Sequence, residues 1–143
     1  MTTDLGALGQ AIKRAQYRDH RAMDAVLRAT GISLVQWDAL RAIERAPGAS
    51  ANDLAVASFQ TDQSFGALAN RLEGAGWIER RQGSGRRIEH RLNEAGRAAL
   101  ETGREAVEGE LPRLFGALDE GERTTLLGLL QRLTTGPDRT PET

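Results

Sequence analysis

Apolar residues recur at steps of three and four along most of the chain, the spacing that places one apolar stripe on a helix. From Thr3 to Ala29, the residues Leu5, Leu8, Ile12, Ala15, Met23, Val26 and Leu27 predict a long first helix that ends before Gly31. Ser33 to Ala46 predicts a second, capped by Ser33, with Leu34, Trp37, Leu40, Ala42 and Ile43 as its buried side and Pro47-Gly48 as its stop. Two short amphipathic patterns follow, Leu54, Ala55 and Ser58, then Phe65, Leu68, Ala69 and Leu72. Between them Phe59, Gln60 and Thr61 leave room for a short turn, and Thr61 or Asp62 can cap the second helix. This is the spacing of a helix-turn-helix.

Gly74 to Gly76 can end that helix in the left-handed conformation, and Trp77-Ile78 then opens an extended segment. After a turn at Gln82-Gly83-Ser84-Gly85 the pattern alternates, with Ile88, His90 and Leu92 on one face and Arg87, Glu89 and Arg91 on the other. Asn93-Glu94-Ala95-Gly96 starts another helix, whose pattern runs through Leu100, Val107, Leu111, Leu114, Phe115 and Leu118. Gly103 and Gly109 each cost about 1 kcal/mol relative to alanine, and Pro112 removes a backbone donor, so a kink or break is expected near Leu111. Asp119-Glu120 opens a last helix with Leu126, Leu127, Leu129, Leu130 and Leu133, closing at Gly136-Pro137. The expected fold is mainly α, an α+β winged helix-turn-helix of about six helices with a two- or three-stranded β-wing. Residues 33–97 are expected to form the winged helix-turn-helix lobe, flanked by terminal helical segments 1–32 and 98–143, all within one integrated domain.

Composition narrows the chemistry. The chain has 143 residues, 15.5 kDa and 39 % hydrophobic content, enough for one ordinary domain with a core. It holds no long apolar run, and Met1 to Gly9 lacks a basic segment followed by an apolar one, so no membrane association is expected and the cytoplasm is the expected compartment. The absence of cysteine excludes disulfides and thiolate sites, and His20 and His90 are too few and too separated for a zinc site. No metal, cofactor or catalytic residue is expected, because there are no clustered histidines and no glycine-rich loop followed by lysine. The net charge of −1 hides an uneven distribution. Between Trp77 and Leu92, Arg80, Arg81, Arg86, Arg87 and Arg91 face only Glu79 and Glu89, whereas the segment from Ala98 onward is acidic.

The ends carry more leucine than a small central lobe can cover: Leu5, Leu8 and Ile12 at one end and Leu111 to Leu133 at the other. Burial of each such side chain is worth roughly 1.5 to 3 kcal/mol, and a second copy of the chain is the simplest cover. Paired helix-turn-helix units also read paired half-sites.

The run from Ile32 to Leu100 resembles the MarR family of transcriptional regulators. The most telling fragments are Asn70-Arg71-Leu72-Glu73-Gly74-Ala75-Gly76-Trp77-Ile78-Glu79-Arg80-Arg81 and Arg91-Leu92-Asn93-Glu94-Ala95-Gly96-Arg97. The resemblance implies a homodimer on double-stranded DNA with a palindromic operator, recognition helices in successive major grooves and wings toward the minor grooves. On the exposed side of the second helix of the pair lie Asp62, Gln63, Ser64, Ala67, Asn70 and Arg71, beside the capping Thr61. Gln63 and Asn70 can bond adenine edges, Ser64 a base or a phosphate, and Arg71 a phosphate or guanine. Arg81, Arg86 and Arg87 of the hairpin are candidates for the backbone and minor groove. Ser50 can donate to a phosphate or serve as an N-cap. Two features depart from the family pattern: Ala67 stands where arginine is common, and Ser84-Gly85-Arg86-Arg87 replaces an aspartate-bearing wing tip.

In many relatives a small aromatic or anionic molecule binds between the dimerisation helices and the DNA-binding lobe. Tyr17, His20, Arg21, Trp37 and Arg41 are the residues of the first two helices able to supply such a site, although Trp37 is more simply read as a core anchor than as a ligand platform. The functional expectation is a dimeric, sequence-specific DNA-binding repressor released by a small effector. A winged helix used only for protein contacts is the alternative, and the basic hairpin speaks for DNA.

Overall fold

A computed structural model describes residues 1–135. Among them are six helices, α1 (Leu5–Arg28), α2 (Leu34–Arg45), α3 (Ala51–Ala57), α4 (Asp62–Gly74), α5 (Glu94–Leu114) and α6 (Glu120–Thr134), with strands β1 (Ile78–Gln82) and β2 (Ile88–Leu92) between α4 and α5. The fold is thus mainly helical with a two-stranded antiparallel sheet, in register from Ile78↔Leu92 to Gln82↔Ile88. Among the described residues a single bridge between Ala49 and His90 stands in place of a third strand. The expected closing Gly136-Pro137 lies outside the described residues. Among these residues no helix is long and apolar enough to cross a membrane.

The chain divides into two compact units, Met1–Glu110 and a second beginning at Leu111. In the first, Met23 and Leu27 of α1, Trp37, Leu40 and Ile43 of α2, Leu54 of α3, Phe65 and Leu72 of α4, Ile78 of β1 and Leu100 of α5 are buried together with His90. Local chemistry sets the boundaries. Asp4 caps α1, and Ser33 forms a capping box with Gln36 at the start of α2. The indole N–H of Trp37 donates to the Leu100 carbonyl at 3.1 Å, which settles Trp37 into the core. Directly beside this contact, a Cβ on Gly103 would lie 2.5 Å from Trp37 Cδ1 and 2.9 Å from Leu27 Cδ2. The helix-weakening glycine is there because α5 runs against the Trp37 ring.

Asp24 fastens α1 to α2. Its Oδ1 accepts the Leu34 N–H at 2.9 Å, at the free first turn of α2, and its Oδ2 meets Arg28 at 2.7 Å. The Leu34 amide and, next, Arg28 hold the Asp24 carboxyl below its ordinary pKa. A carboxylate more acidic in the folded state stabilises the fold above its unfolded pKa and loses that contribution as pH falls through the folded one. Asp24→Ala is therefore expected to lower unfolding free energy by about 1 kcal/mol at neutral pH. In denaturation curves at descending pH, that deficit should shrink below the ordinary carboxylate range.

In the second unit, Asp119 and Glu122 make a capping box at the start of α6. α5 continues past Leu111 and through Pro112 to Leu114, so the stop falls three residues beyond the expected break, at a turn before Leu118. α6 has no buried residue, and Leu126, Leu127, Leu129, Leu130 and Leu133 are exposed. In the first unit Leu5, Leu8 and Ile12 of α1 are exposed as well.

Candidate nucleic-acid interface

α3 and α4 form the helix-turn-helix. Ser50 caps α3 by accepting from Asp53 N–H, and its own hydroxyl proton stays available. Ser58 ends α3, its hydroxyl donating to the Leu54 carbonyl at 2.6 Å. The turn passes through Phe59 at φ 58°, the left-handed region, with its ring fully exposed. A non-glycine residue there carries a strain of about 1 to 2 kcal/mol. Phe59→Gly is accordingly expected to raise stability by up to about 1 kcal/mol, less the extra chain entropy of glycine, as thermal denaturation would show.

Thr61 is the cap of α4, accepting from Ser64 N–H at 3.1 Å while its hydroxyl donates to Ser64 Oγ at 2.9 Å. Asn52 of α3 donates to both carboxylate oxygens of Asp62, at 3.1 and 3.0 Å, so the two helices are pinned at the turn. Phe65, Leu68, Ala69 and Leu72 face inward, and Phe65 meets the His90 ring edge-on, 6.1 Å between centroids. His90 Nδ1 lies 3.0 Å from the Ala49 carbonyl; an oxygen there only accepts, so Nδ1 carries the proton in this bond.

The outer side of α4 is tied to the hairpin. Arg80 donates to Glu73 at 3.0 and 2.9 Å and to Asn70 Oδ1 at 2.8 Å. Its hydrogen bonds hold the Glu73 carboxyl below the usual range, and Glu73 in turn raises Arg80. Arg80 was absent from the sequence candidates, although strand alternation carried the signal: it stands two residues from buried Ile78 and so on the same face. Asn70 is thereby committed through its acceptor. Gln63 and Ala67 are exposed, one turn apart, and Gln63 has no hydrogen-bond partner among the described residues. Arg71 lines a cleft of about 390 Å³ with Arg28, Ser33 and Gln36.

At the wing, Gly85 takes φ 63° and closes the turn. Arg81 pairs with Glu79 at 3.3 Å. Arg87 reaches back to the Gly48 carbonyl at 3.3 Å and to Asp53 at 3.5 Å, which orients it without a wing-tip aspartate. Arg86 is exposed and has no partner among the described residues. Ile88, placed inward by its alternation, is 47 % exposed, because the inner face is covered only as far as His90.

The residues proposed for a ligand fall into pairs. The Arg21 guanidinium lies 5.7 Å from the Tyr17 ring on α1, and that of Arg41 lies 4.7 Å from the Trp37 ring on α2. His20 is half-buried, within electrostatic reach of Asp24 and Asp38. Burial raises the Asp38 carboxyl, with Arg41 opposing. Asp38 and Arg41 line a cleft of about 230 Å³ with Arg45, Ser58 and Phe59. Among the described residues no group of three or more histidines and carboxylates is placed to hold a metal ion.

A helix-turn-helix followed by a basic two-stranded hairpin that grips its second helix defines a winged helix protein. Residues 30–88, from the end of α1 to the start of β2, match the model of the MarR family. A probable transcriptional regulator from Pseudomonas aeruginosa is 28 % identical, covering 87 % of this chain and 95 % of its own, with a TM-score of 0.79. A MarR family protein from Mycobacterium tuberculosis, solved in complex with salicylic acid, is 25 % identical over 92 % of this chain and 97 % of its own, TM-score 0.74. A mutant MarR from E. coli, complexed with operator DNA, shares the fold at TM-score 0.82, with 23 % identity over 89 % of this chain and 93 % of its own. No curated protein sequence matches the chain. The chain is thus similar to MarR-family transcriptional regulators, in sequence through residues 30–88 and in its fold along most of its length.

Proposed function

We propose that this protein is a homodimeric, sequence-specific DNA-binding regulator, a repressor of a palindromic operator that a small aromatic or anionic ligand releases. The observation that carries the reading is the helix-turn-helix face, where Gln63 of α4 and Arg86 of the wing stand exposed and unpartnered. Ser50, Ser64, Arg71, Arg81 and Arg87 are further donors suited to phosphate oxygens, whereas Thr61 gives its hydroxyl proton to Ser64 and serves as the cap. The complex of the E. coli relative with operator DNA supports the partner. Residues 33–97 act as the DNA-binding lobe, and 1–32 with 98–143 as the dimerisation segments.

Exposed Leu5, Leu8 and Ile12 on α1, and the leucines of α6, support a second copy as their cover. The salicylic acid complex of the mycobacterial relative supports an effector, for which Tyr17, His20, Arg21, Trp37 and Arg41 are the candidates. An effector acts only by favouring one of two states, so it must bind the DNA-incompetent one more tightly. Sedimentation should give a dimer, and duplex binding should fall steeply with salt. A monomer, or a dimer that ignores duplex DNA at low salt, would favour the protein-contact alternative. Phenolic acids should raise the melting temperature and weaken DNA binding together; a ligand that does neither removes the effector from the proposal.

A further inference from the structure

The polar groups of α4 are not equally free to read a base, and their internal bonds narrow the sequence the helix can recognise. Asp62 is held by Asn52, Asn70 offers its carbonyl to Arg80, and Glu73 is bound to the same guanidinium. Ser64 is joined to the Thr61 hydroxyl at the helix start. Arg71, the only cation of α4, shares its cleft with the guanidinium of Arg28, a pairing suited to a polyanionic backbone. Guanine is read most often by a bidentate arginine or lysine, and Arg71 is the single residue of α4 with that chemistry.

Outward and free of internal hydrogen bonds at the start of the helix stand Gln63 and, one turn on, the methyl group of Ala67. They lie on the side opposite Phe65, Leu68 and Leu72. Gly66 adds to the low profile: a Cβ there would meet nothing within 4 Å, so no packing inside the chain requires glycine. A glutamine amide offers one donor and one acceptor, which match the N7 and N6 amino group of adenine, and a bare methyl matches the C5-methyl of thymine.

We propose that α4 reads A·T pairs in the major groove, with Gln63 bonding an adenine edge and the Ala67 methyl packing on a thymine methyl. This rests on the DNA-binding reading above. It makes Gln63 and Ala67 the specificity-determining residues, and assigns Arg71 and the wing arginines to the backbone.

The test is selection of duplexes from a random pool by the full chain, followed by base analogues in the selected site. Each half-site should contain adenine and thymine positions that Gln63→Ala relaxes by about tenfold. Replacing each thymine in turn by uracil deletes one methyl, and at one thymine per half-site this should weaken binding about fourfold, the ratio that burial of one methyl group gives. Ala67→Gly should bind thymine and uracil sites alike, a ratio that a general loss of helix stability would not change. Uracil substitution without effect at every position overturns the inference while leaving DNA binding intact. So does a selected guanine within the half-site whose 7-deaza analogue abolishes binding and whose preference is lost in Arg71→Ala, because Arg71 would then read a base instead of the backbone. A pool that yields no enriched sequence overturns the DNA-binding reading, and this inference with it.

Discussion

Replacing Gly96 by alanine is expected to destabilise the first unit by about 3 kcal/mol, the upper end of what overpacking a closed site costs. The added Cβ would fall on the Trp77 carbonyl oxygen and 2.9 Å from the Trp77 carbonyl carbon. Those are backbone atoms, fixed on both sides. The Asn93 N–H donates to the same Trp77 oxygen at 3.2 Å, and Asn93 Nδ2 donates to the Gly76 carbonyl at 2.7 Å. Gly96 N–H in turn donates to Asn93 Oδ1 at 2.8 Å, so the start of α5 is locked onto the turn that joins α4 to β1. Relief would require one of these bonds to break. Chemical denaturation at a single protein concentration should show the loss, since assembly would otherwise shift the apparent stability. Gly103→Ala should cost less, because its obstacles are the side chains of Trp37 and Leu27, and alanine recovers about 1 kcal/mol of helix propensity. Equal stability of Gly96→Ala and the parent would mean that the close approach of α5 to Trp77 is not maintained in solution.

The two glycines also mark what the sequence can convey. Helical stripes such as Phe65, Leu68, Ala69 and Leu72 were legible because their partners repeat within one turn, and Ser33, Ser50 and Thr61 were legible as caps because a cap acts three residues away. Gly103 read only as a weak helix position. Its reason, the Trp37 ring, stands 66 residues earlier and depends on how α2 and α5 cross. Likewise Asp24 to Leu34 and Arg80 to Asn70 each span ten residues across a turn, beyond any local periodicity. Arg80 is the instructive case: counted with the other arginines it looked like part of a basic hairpin, yet its strand face commits it to α4. Residue type announced a basic hairpin, and geometry decided which of its members remain free.

That distinction separates the two wing-tip arginines. Arg86 has no partner among the described residues, whereas Arg87 is held by the Gly48 carbonyl and Asp53. Each phosphate contact contributes about 0.9 to the salt slope of duplex binding, so deleting one should lower the slope by that amount and reduce affinity by roughly tenfold near 0.1 M salt. Arg86→Ala is expected to show this loss with little change in folding. Arg87→Ala should lose at least as much, since it also leaves the Asp53 carboxylate facing the phosphate backbone unpaired. Asp53→Asn in the parent should act in the opposite direction, because it removes that negative charge and releases Arg87 from its pair. The Arg86→Ala, Arg87→Ala double variant should therefore lose about two units of slope and on the order of 100-fold in affinity, on any duplex sequence. Anisotropy titrations at several salt concentrations, on selected and random duplexes, measure both quantities. An unchanged slope in the double variant would remove the wing from the DNA interface. A loss confined to the selected duplex would instead make these arginines base readers, and the division of labour between α4 and the hairpin would have to be reversed.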